Sequence, residues 1–390
     1  MRNIEEYLKQ FWTATKEPTL DAMWFFMERL GNPHIAFKTI HVAGTNGKGS
    51  VVQALGSVLK EAGYKVGKFI SPYLVKFNEY MSIDNSDISD DELEELLSIL
   101  KPLIDEYQAD HNQIKQFEIA TTLALMYFAK HKVDIAIIEV GIESEWDCTN
   151  IITPEISIIT KVDFDHMDLL GNTIEDMARN NSGIIKEGIP VITCDSNTVR
   201  VLDIIKEAAK RKGANVTVTK KTNLPTSLKG SFQQDNMGLV IQAAKILGID
   251  KAYIKEGLMS VRHAGRFETL CESPLIIFDG AHNPDSLRAF VQMVNEYFGN
   301  SYPKRFVISM ISTKDIVASA QILRQLNGEL IFTNGVNEKF HRFNDGIEFK
   351  DAILASTKDK ITFIIGSFYT YAKARQLLKD SGICSGDSED

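Results

Sequence analysis

Gly44-Thr45-Asn46-Gly47-Lys48-Gly49-Ser50 packs three glycines, a lysine and two hydroxyls into seven residues. Glycines let backbone amides close around phosphate oxygens, Lys48 can neutralise charge on the β and γ phosphates, and Ser50 can reach a magnesium ion. The spacing is not the usual GxxxxGK[ST]. Val42 stands at the first glycine position, and Gly49 separates the lysine from the hydroxyl. The chemistry implied is nucleotide binding; the competing reading is a glycine-rich turn with no nucleotide. Four further sites are candidates. Glu139 ends an apolar run and is followed by Val140 and Gly141; His166 lies in Asp163-Phe-Asp-His-Met167. Either side chain, at the carboxyl edge of a parallel sheet, can meet a metal or a phosphate. A solvated or salt-bridged role is the alternative for each. Asp279-Gly-Ala-His-Asn-Pro284 pairs a carboxylate with His282 in a tight turn, which also reads as a plain Asx-Pro helix start. Arg266 is the fourth, with a structural salt bridge as its alternative.

Positioning these groups requires strands that end at them and helices that start after them. Short apolar runs at 39–43, 134–139, 156–160, 190–193, 275–278, 305–309 and 361–365 read as parallel strands covered on both faces. Helical periodicity is present at 4–14, 50–63, 90–107, 117–131, 173–186, 200–212, 232–247, 285–298 and 368–380. The alternation specifies an α/β protein. No Pro/Gly/Ser linker interrupts it, so the boundary is placed where the strand–helix rhythm restarts, giving domains 1–270 and 271–390. The acidic end, Ser381–Asp390, is expected to fray.

The 390 residues carry 52 acidic against 43 basic side chains, a formal charge of -9, which offers no attraction to nucleic acid or anionic lipid. No apolar run is long enough for a membrane span, and the start is polar rather than signal-like. Cys148, Cys194, Cys271 and Cys384 are far apart, so neither a zinc ribbon nor a disulfide framework is expected. A cytoplasmic, monomeric protein with small-molecule partners is the expectation.

In this order the motifs resemble the folylpolyglutamate synthase and dihydrofolate synthase family of the Mur ligase superfamily. The likeness runs through His41–Ser50, Ser71–Glu79, Ile138–Gly141, Asp147–Asn150, Asp165-His166 with Leu170-Gly171, Ser182–Lys186, Phe232–Asn236, Gly265-Arg266, Asp279–Pro284 and Gly366-Ser367. It implies a P-loop parallel-sheet ATPase domain, then a smaller Rossmann-like α/β domain, with the site in the cleft between them. It implies that ATP phosphorylates a folate or dihydropteroate carboxylate and that the amine of L-glutamate attacks the acyl phosphate. By this likeness Thr45, Asn46, Gly47, Lys48, Gly49, Ser50, Asn236, Arg266 and Asp279 contact ATP. Ser71, Glu139 and His166, with Ser50, hold Mg2+. Lys48, Glu139, His166, Asp279 and His282 are the catalytic set, and Phe77, Asp147, His282 and Ser367 bind substrate.

Departures from the pattern are as informative. Asn181 stands where the family has a lysine that becomes carbamylated to place a second metal, and an amide cannot form that carbamate; Lys186 is a substitute candidate. Glu143-Ser-Glu-Trp146 replaces a Gly-Gly-Arg-like run, and Tyr80 replaces the arginine after Phe-Asn-Glu. The nucleotide half is therefore better preserved than the acceptor half. Two alternatives stay open: a Mur-ligase-like enzyme with a non-folate carboxylate acceptor, and a nucleotide-binding paralogue without turnover.

Overall fold

The computed structural model describes residues 2–11, 19–110, 113–299 and 301–384. The chain divides into two units: Met1–Ser227 with Gln234–Arg262, and Leu228–Gln233 with His263–Asp390.

The described residues of the first unit form eight strands: β1 Lys38–Ala43, β2 Val66–Phe69, β3 Met81–Ile83, β4 Ser86–Asp87, β5 Ile135–Glu139, β6 Ile156–Ile159, β7 Val191–Cys194 and β8 Val216–Thr219. They form one sheet in the order β4-β3-β2-β5-β1-β6-β7-β8. From β2 to β8 every pairing is parallel, and β3 alone is reversed, antiparallel to both β2 and β4. Strands β5, β6 and β7 are buried along their whole length, as continuous Ile/Val runs with both faces covered require. One core sets Met23, Phe26, Leu123 and Phe128 against Phe69 and Ile138; another sets Met177, Val201 and Ile205 against Ile159 and Val191. The helix Lys48–Glu61 follows β1 directly. The helix Lys251–Ser260, which sequence periodicity does not reveal, packs on it so closely that a Cβ at Gly257 would lie 2.4 Å from the Val58 Cα.

The second unit is a five-stranded sheet of β9 Glu268–Glu272, β10 Leu275–Phe278, β11 Lys304–Ile308, β12 Glu329–Phe332 and β13 Ile361–Ile365. Its order is β12-β11-β13-β10-β9, parallel except for β9. Phe290, Phe306, Phe363 and Leu323 are among the side chains that fill its core.

Three expectations need correction. The division falls at Arg262/His263 rather than at 270, because β9 pairs with β10 and the Gly280 amide donates to the Gly265 carbonyl, 2.9 Å. The helix expected over 173–186 ends at Asn181, followed by a 3-10 turn Ser182–Ile184. The cysteines do form a bond: Cys271 in β9 and Cys384 are joined by a disulfide with Cα atoms 5.6 Å apart. At the first helix, Arg2–Lys9 is observed, and residues 12–14 of the expected span lie outside the described residues. Ser381 closes the last helix, and of the end expected to fray, 385–390 lie outside the described residues. Among the described residues no helix is long and apolar enough to cross a membrane.

Candidate active site

Four neighbouring strands, β2, β5, β1 and β6, deliver their carboxyl ends to one edge of the first sheet. There the chain continues into Ser71, Glu139, the Gly44–Ser50 loop and the segment to His166. Strand order reverses around β1, which is the position where open α/β sheets bind ligands.

The loop is clamped to its neighbours. The amides of Thr45 and Asn46 donate to the Lys161 carbonyl, at 2.9 and 3.2 Å. Thr45 Oγ1 donates to the Asp163 carbonyl, 2.8 Å, and lies 3.0 Å from the Asp163 amide. Gly44 has φ +133°, and a Cβ there would sit 1.9 Å from Thr160 Oγ1. Gly47 has φ +97° and meets Asn236, whose Oδ1 would be 2.4 Å from a Cβ. Only glycine fits either place. Gly47 caps the helix Lys48–Glu61, so the first-turn amides, those of Gly49 and Ser50 among them, have no acceptor inside the helix. The Lys48 ammonium folds back onto the loop, donating to the Gly44 carbonyl at 2.9 Å and reaching the Thr45 carbonyl at 3.5 Å. The result is a helix start with the geometry that can hold an anion, beside a tethered cation. No sequence motif singles out Asn197. Buried, it takes the Val162 amide on Oδ1 at 2.8 Å and donates to the Thr160 carbonyl at 3.0 Å, fixing the segment that clamps the loop.

The donors that the family likeness implies for a divalent cation are one carboxylate, two hydroxyls and one imidazole. Glu139, 3% exposed, accepts the Ser71 amide at 3.2 Å, so the structure brings these two together. Ser50 lies buried in the first helical turn. His166 is left-handed, with φ +48°, its amide on Asp165 Oδ1 at 2.8 Å and its ring partly exposed. A non-glycine residue held there is uncommon and is often found at functional sites. No group of three or more His, Cys, Asp or Glu that could hold a metal occurs among the described residues. A set this sparse fits Mg2+, which keeps waters and shares its shell between a carboxylate or two and substrate phosphates.

The second unit assembles its own group at the ends of β10 and β13. Asp279, buried, takes the Phe267 amide on Oδ2 at 2.9 Å and the Ala281 amide on Oδ1 at 2.8 Å. Burial pushes its carboxyl above the usual range, against the pull of the Arg266 charge and these amides. The Arg266 guanidinium lies 4.5 Å from the centre of the Phe368 ring, and the His282 ring stands edge-on to the same phenyl at 6.0 Å. His282 Nδ1 is 2.7 Å from the Gly280 carbonyl. Ser367 Oγ, fully covered, accepts the Tyr369 amide at 3.2 Å.

Residues 42–267 match the Mur ligase middle domain, more than half of the chain. The chain belongs to the Mur ligase family. Within it, the dihydrofolate synthase/folylpolyglutamate synthase of Bacillus subtilis (strain 168) is 37% identical over 318 residues, 73% of this chain and 74% of that protein. The folylpolyglutamate synthase of Lacticaseibacillus casei is 33% identical over 338 residues, 76% of each. Among solved structures, a folylpolyglutamate synthase–AMPPCP–folate complex superposes with a TM-score of 0.87 at 30% identity, covering 96% of this chain and 98% of that one. These relatives place the chain in the folylpolyglutamate synthase/dihydrofolate synthase branch.

Several positions that the family likeness singles out have partners within the chain itself. Phe77 is 1% exposed and packs edge-on against Tyr80 at 5.2 Å, inside the first core rather than on a ligand surface. Tyr80, in place of the family arginine, stacks on Phe69 at 5.8 Å and shares that core. Asp147 spends its carboxylate on the chain itself. Oδ1 accepts from Thr149 Oγ1 and its amide, at 2.6 and 3.0 Å; Oδ2 accepts the Gly141 and Ile142 amides at 3.0 and 3.3 Å. Burial raises its pKa and those donors oppose the rise. Thr149 also meets His41 Nε2 at 2.9 Å, and burial, helped by the Lys186 charge, drives that imidazole down to about 3, so it is neutral. Asn181 is buried, its Nδ2 bonded back to the Met177 carbonyl at 2.8 Å. Lys186 donates to the Asn150 carbonyl at 2.8 Å. Ser144, between Glu143 and Glu145, is pinned to Asn180 Oδ1 through its amide, 3.0 Å.

Proposed function

We propose that this chain is an ATP-dependent ligase that adds L-glutamate to folate, and in a bifunctional form to dihydropteroate, through an acyl phosphate. The observation that carries the reading is the convergence of the clamped Gly44–Ser50 loop with Glu139 and Ser71 at the ends of adjacent parallel strands. Joining a carboxylate to the γ phosphate brings two anions together, so catalysis is first a matter of charge control. In this reading the loop amides and Lys48 hold the β and γ phosphates, with Thr45, Asn46, Gly47, Gly49 and Asn236 shaping the cradle. Ser50, Ser71, Glu139 and His166 hold Mg2+, which supplies Lewis-acid neutralisation of the phosphate oxygens when bound. Arg266 contacts the nucleotide, with Asp279 fixing the turn that carries it. His282 and Ser367 receive the amino acid. Phe77 and Asp147 act through packing and loop geometry rather than by touching substrate.

The same reading takes the enzyme as cytoplasmic and monomeric, with small-molecule substrates; its acidic balance supports the absence of a polynucleotide partner. The polar constellation at the strand ends favours turnover over an idle nucleotide binder. Phosphate release with ATP, Mg2+ and L-glutamate tests the assignment. Folate, dihydropteroate or both should stimulate release, with a glutamyl amide as product. Stimulation by an unrelated carboxylate alone would replace the acceptor, and none by any acceptor would end the ligase reading.

A further inference from the structure

The last helix, Tyr371–Ser381, grips β9 at two separated points. At its start, Tyr371 Oη donates to the Glu268 carboxylate at 3.0 Å and accepts from Arg375 at 3.0 Å, and Arg375 lies 3.8 Å from Glu268. Beyond its end, after Gly382 in the left-handed conformation, Cys384 is bonded to Cys271. The bond joins residues 113 apart, close to the whole length of the second unit. β9 needs such a hold because, among the described residues, it is an edge strand paired with β10 alone, and that pairing shifts register between Ile276 and Ile277 of β10. What β9 carries makes the hold consequential. Glu268 also accepts the Gly265 amide at 2.6 Å, Gly265 accepts the Gly280 amide, and the Phe267 amide donates to Asp279. The Arg266 turn is therefore built on the strand that the disulfide fastens.

We propose that Cys271 and Cys384 form a reversible thiol–disulfide site that locks the C-terminal helix on β9 and thereby fixes the Arg266–Asp279 turn. Cys271 is buried, whereas Cys384 is partly exposed and offers its sulfur to an external dithiol. One thiolate of that dithiol attacks Cys384 Sγ, the S–S bond breaks, and Cys271 leaves as a thiolate and takes a proton. The second thiol of the reductant then releases Cys384 as a thiol and closes its own disulfide, so two electrons pass from dithiol to protein. Oxidised glutathione, a disulfide oxidant, reverses the exchange. The other two cysteines do not compete: Cys148 and Cys194 are buried in the first unit.

The full chain is compared after oxidised glutathione and after a dithiol reductant. Reduction should add about 2 Da and lower the unfolding midpoint of the second unit by about 5–10 °C. Amide exchange over 263–272 should rise about threefold or more, while 38–61 stays unchanged. Cys384→Ser should reproduce the reduced state and lose all response to reductant. Four titratable thiols after glutathione treatment, or exchange over 263–272 indifferent to reduction, would overturn the clamp. The link to ATP rests on the proposed role of Arg266. A raised KM for ATP on reduction supports both ideas; altered exchange with an unaltered KM supports the clamp and removes Arg266 from the nucleotide site.

Discussion

Lys48 has its charge met by the carbonyls of Gly44 and Thr45, the loop it would turn into a phosphate cradle. Such an ammonium can swing to a ligand without leaving a buried charge unpaired, so in the proposed reading it serves turnover and adds little to the fold. Lys48→Ala should cut kcat by about 10²–10³-fold, the scale for removing one preorganised group at developing charge, and leave the thermal midpoint within about 1 °C. Phosphate release paired with calorimetry checks both halves; intact turnover would return the lysine to a surface role. The buried aspartates are the opposite case. Asp147 after β5 and Asp279 after β10 each give both oxygens to chain donors. The family likeness implies ligand contacts for both, and in the fold both also act as clasps that hold a loop where a strand ends.

At the scale of elements, the Gly44–Ser50 loop is defined by what presses on it. Gly44→Ala meets two separate penalties, a φ of +133° and a methyl carbon 1.9 Å from Thr160 Oγ1. It should lower stability by about 2–4 kcal/mol and abolish nucleotide binding. Adding Thr160→Ala should recover the steric part and leave the backbone part, and urea midpoints for the three variants would show it; a neutral Gly44→Ala would mean the loop yields. The strands that bracket this loop were legible because β1, β5, β6 and β7 are continuous apolar runs with a parallel-sheet signature. β2 was not. It is four residues long and contains Gly67 and Lys68, where a Cβ at Gly67 would come 2.8 Å from the Phe128 ring and the lysine is buried. β9 was missed because Glu268-Thr-Leu-Cys-Glu272 is half polar, as an edge strand tolerates. The clamps on the loop were illegible for a different reason. They are backbone carbonyls, those of Lys161 and Asp163, which no residue type announces, and Asn197 lies in no motif. The likeness implies a ligand contact at Phe77, and what a motif cannot show is that this phenyl is buried beside Tyr80 and Tyr73.

At the scale of the whole molecule, one buried charge gives stability a pH dependence. Lys68, 3% exposed, donates to Gln53 Oε1 at 2.5 Å and Asn85 Oδ1 at 2.7 Å, neutral acceptors that do not cancel its charge. Burial, opposed chiefly by Asp87, lowers its pKa from 10.5 to about 8. Between those values the unfolded chain binds the proton and the folded chain does not, so stability rises with pH across that window. Below pH 8 the charge is present in both states and its full cost is borne, ~3 kcal/mol for such a displacement. Lys68→Met removes the charge but leaves Gln53 and Asn85 without their donor, so its stability at pH 7 falls short of that full gain. The pH dependence escapes this ambiguity. Subtracting the Lys68→Met unfolding curve from the wild-type curve cancels the other titrating groups, and the difference should climb in favour of wild type from about pH 8 and level off near 10.5. A flat difference across this range would show that the folded protein keeps the lysine charged, with Asp84 and Asp87 compensating its burial in full.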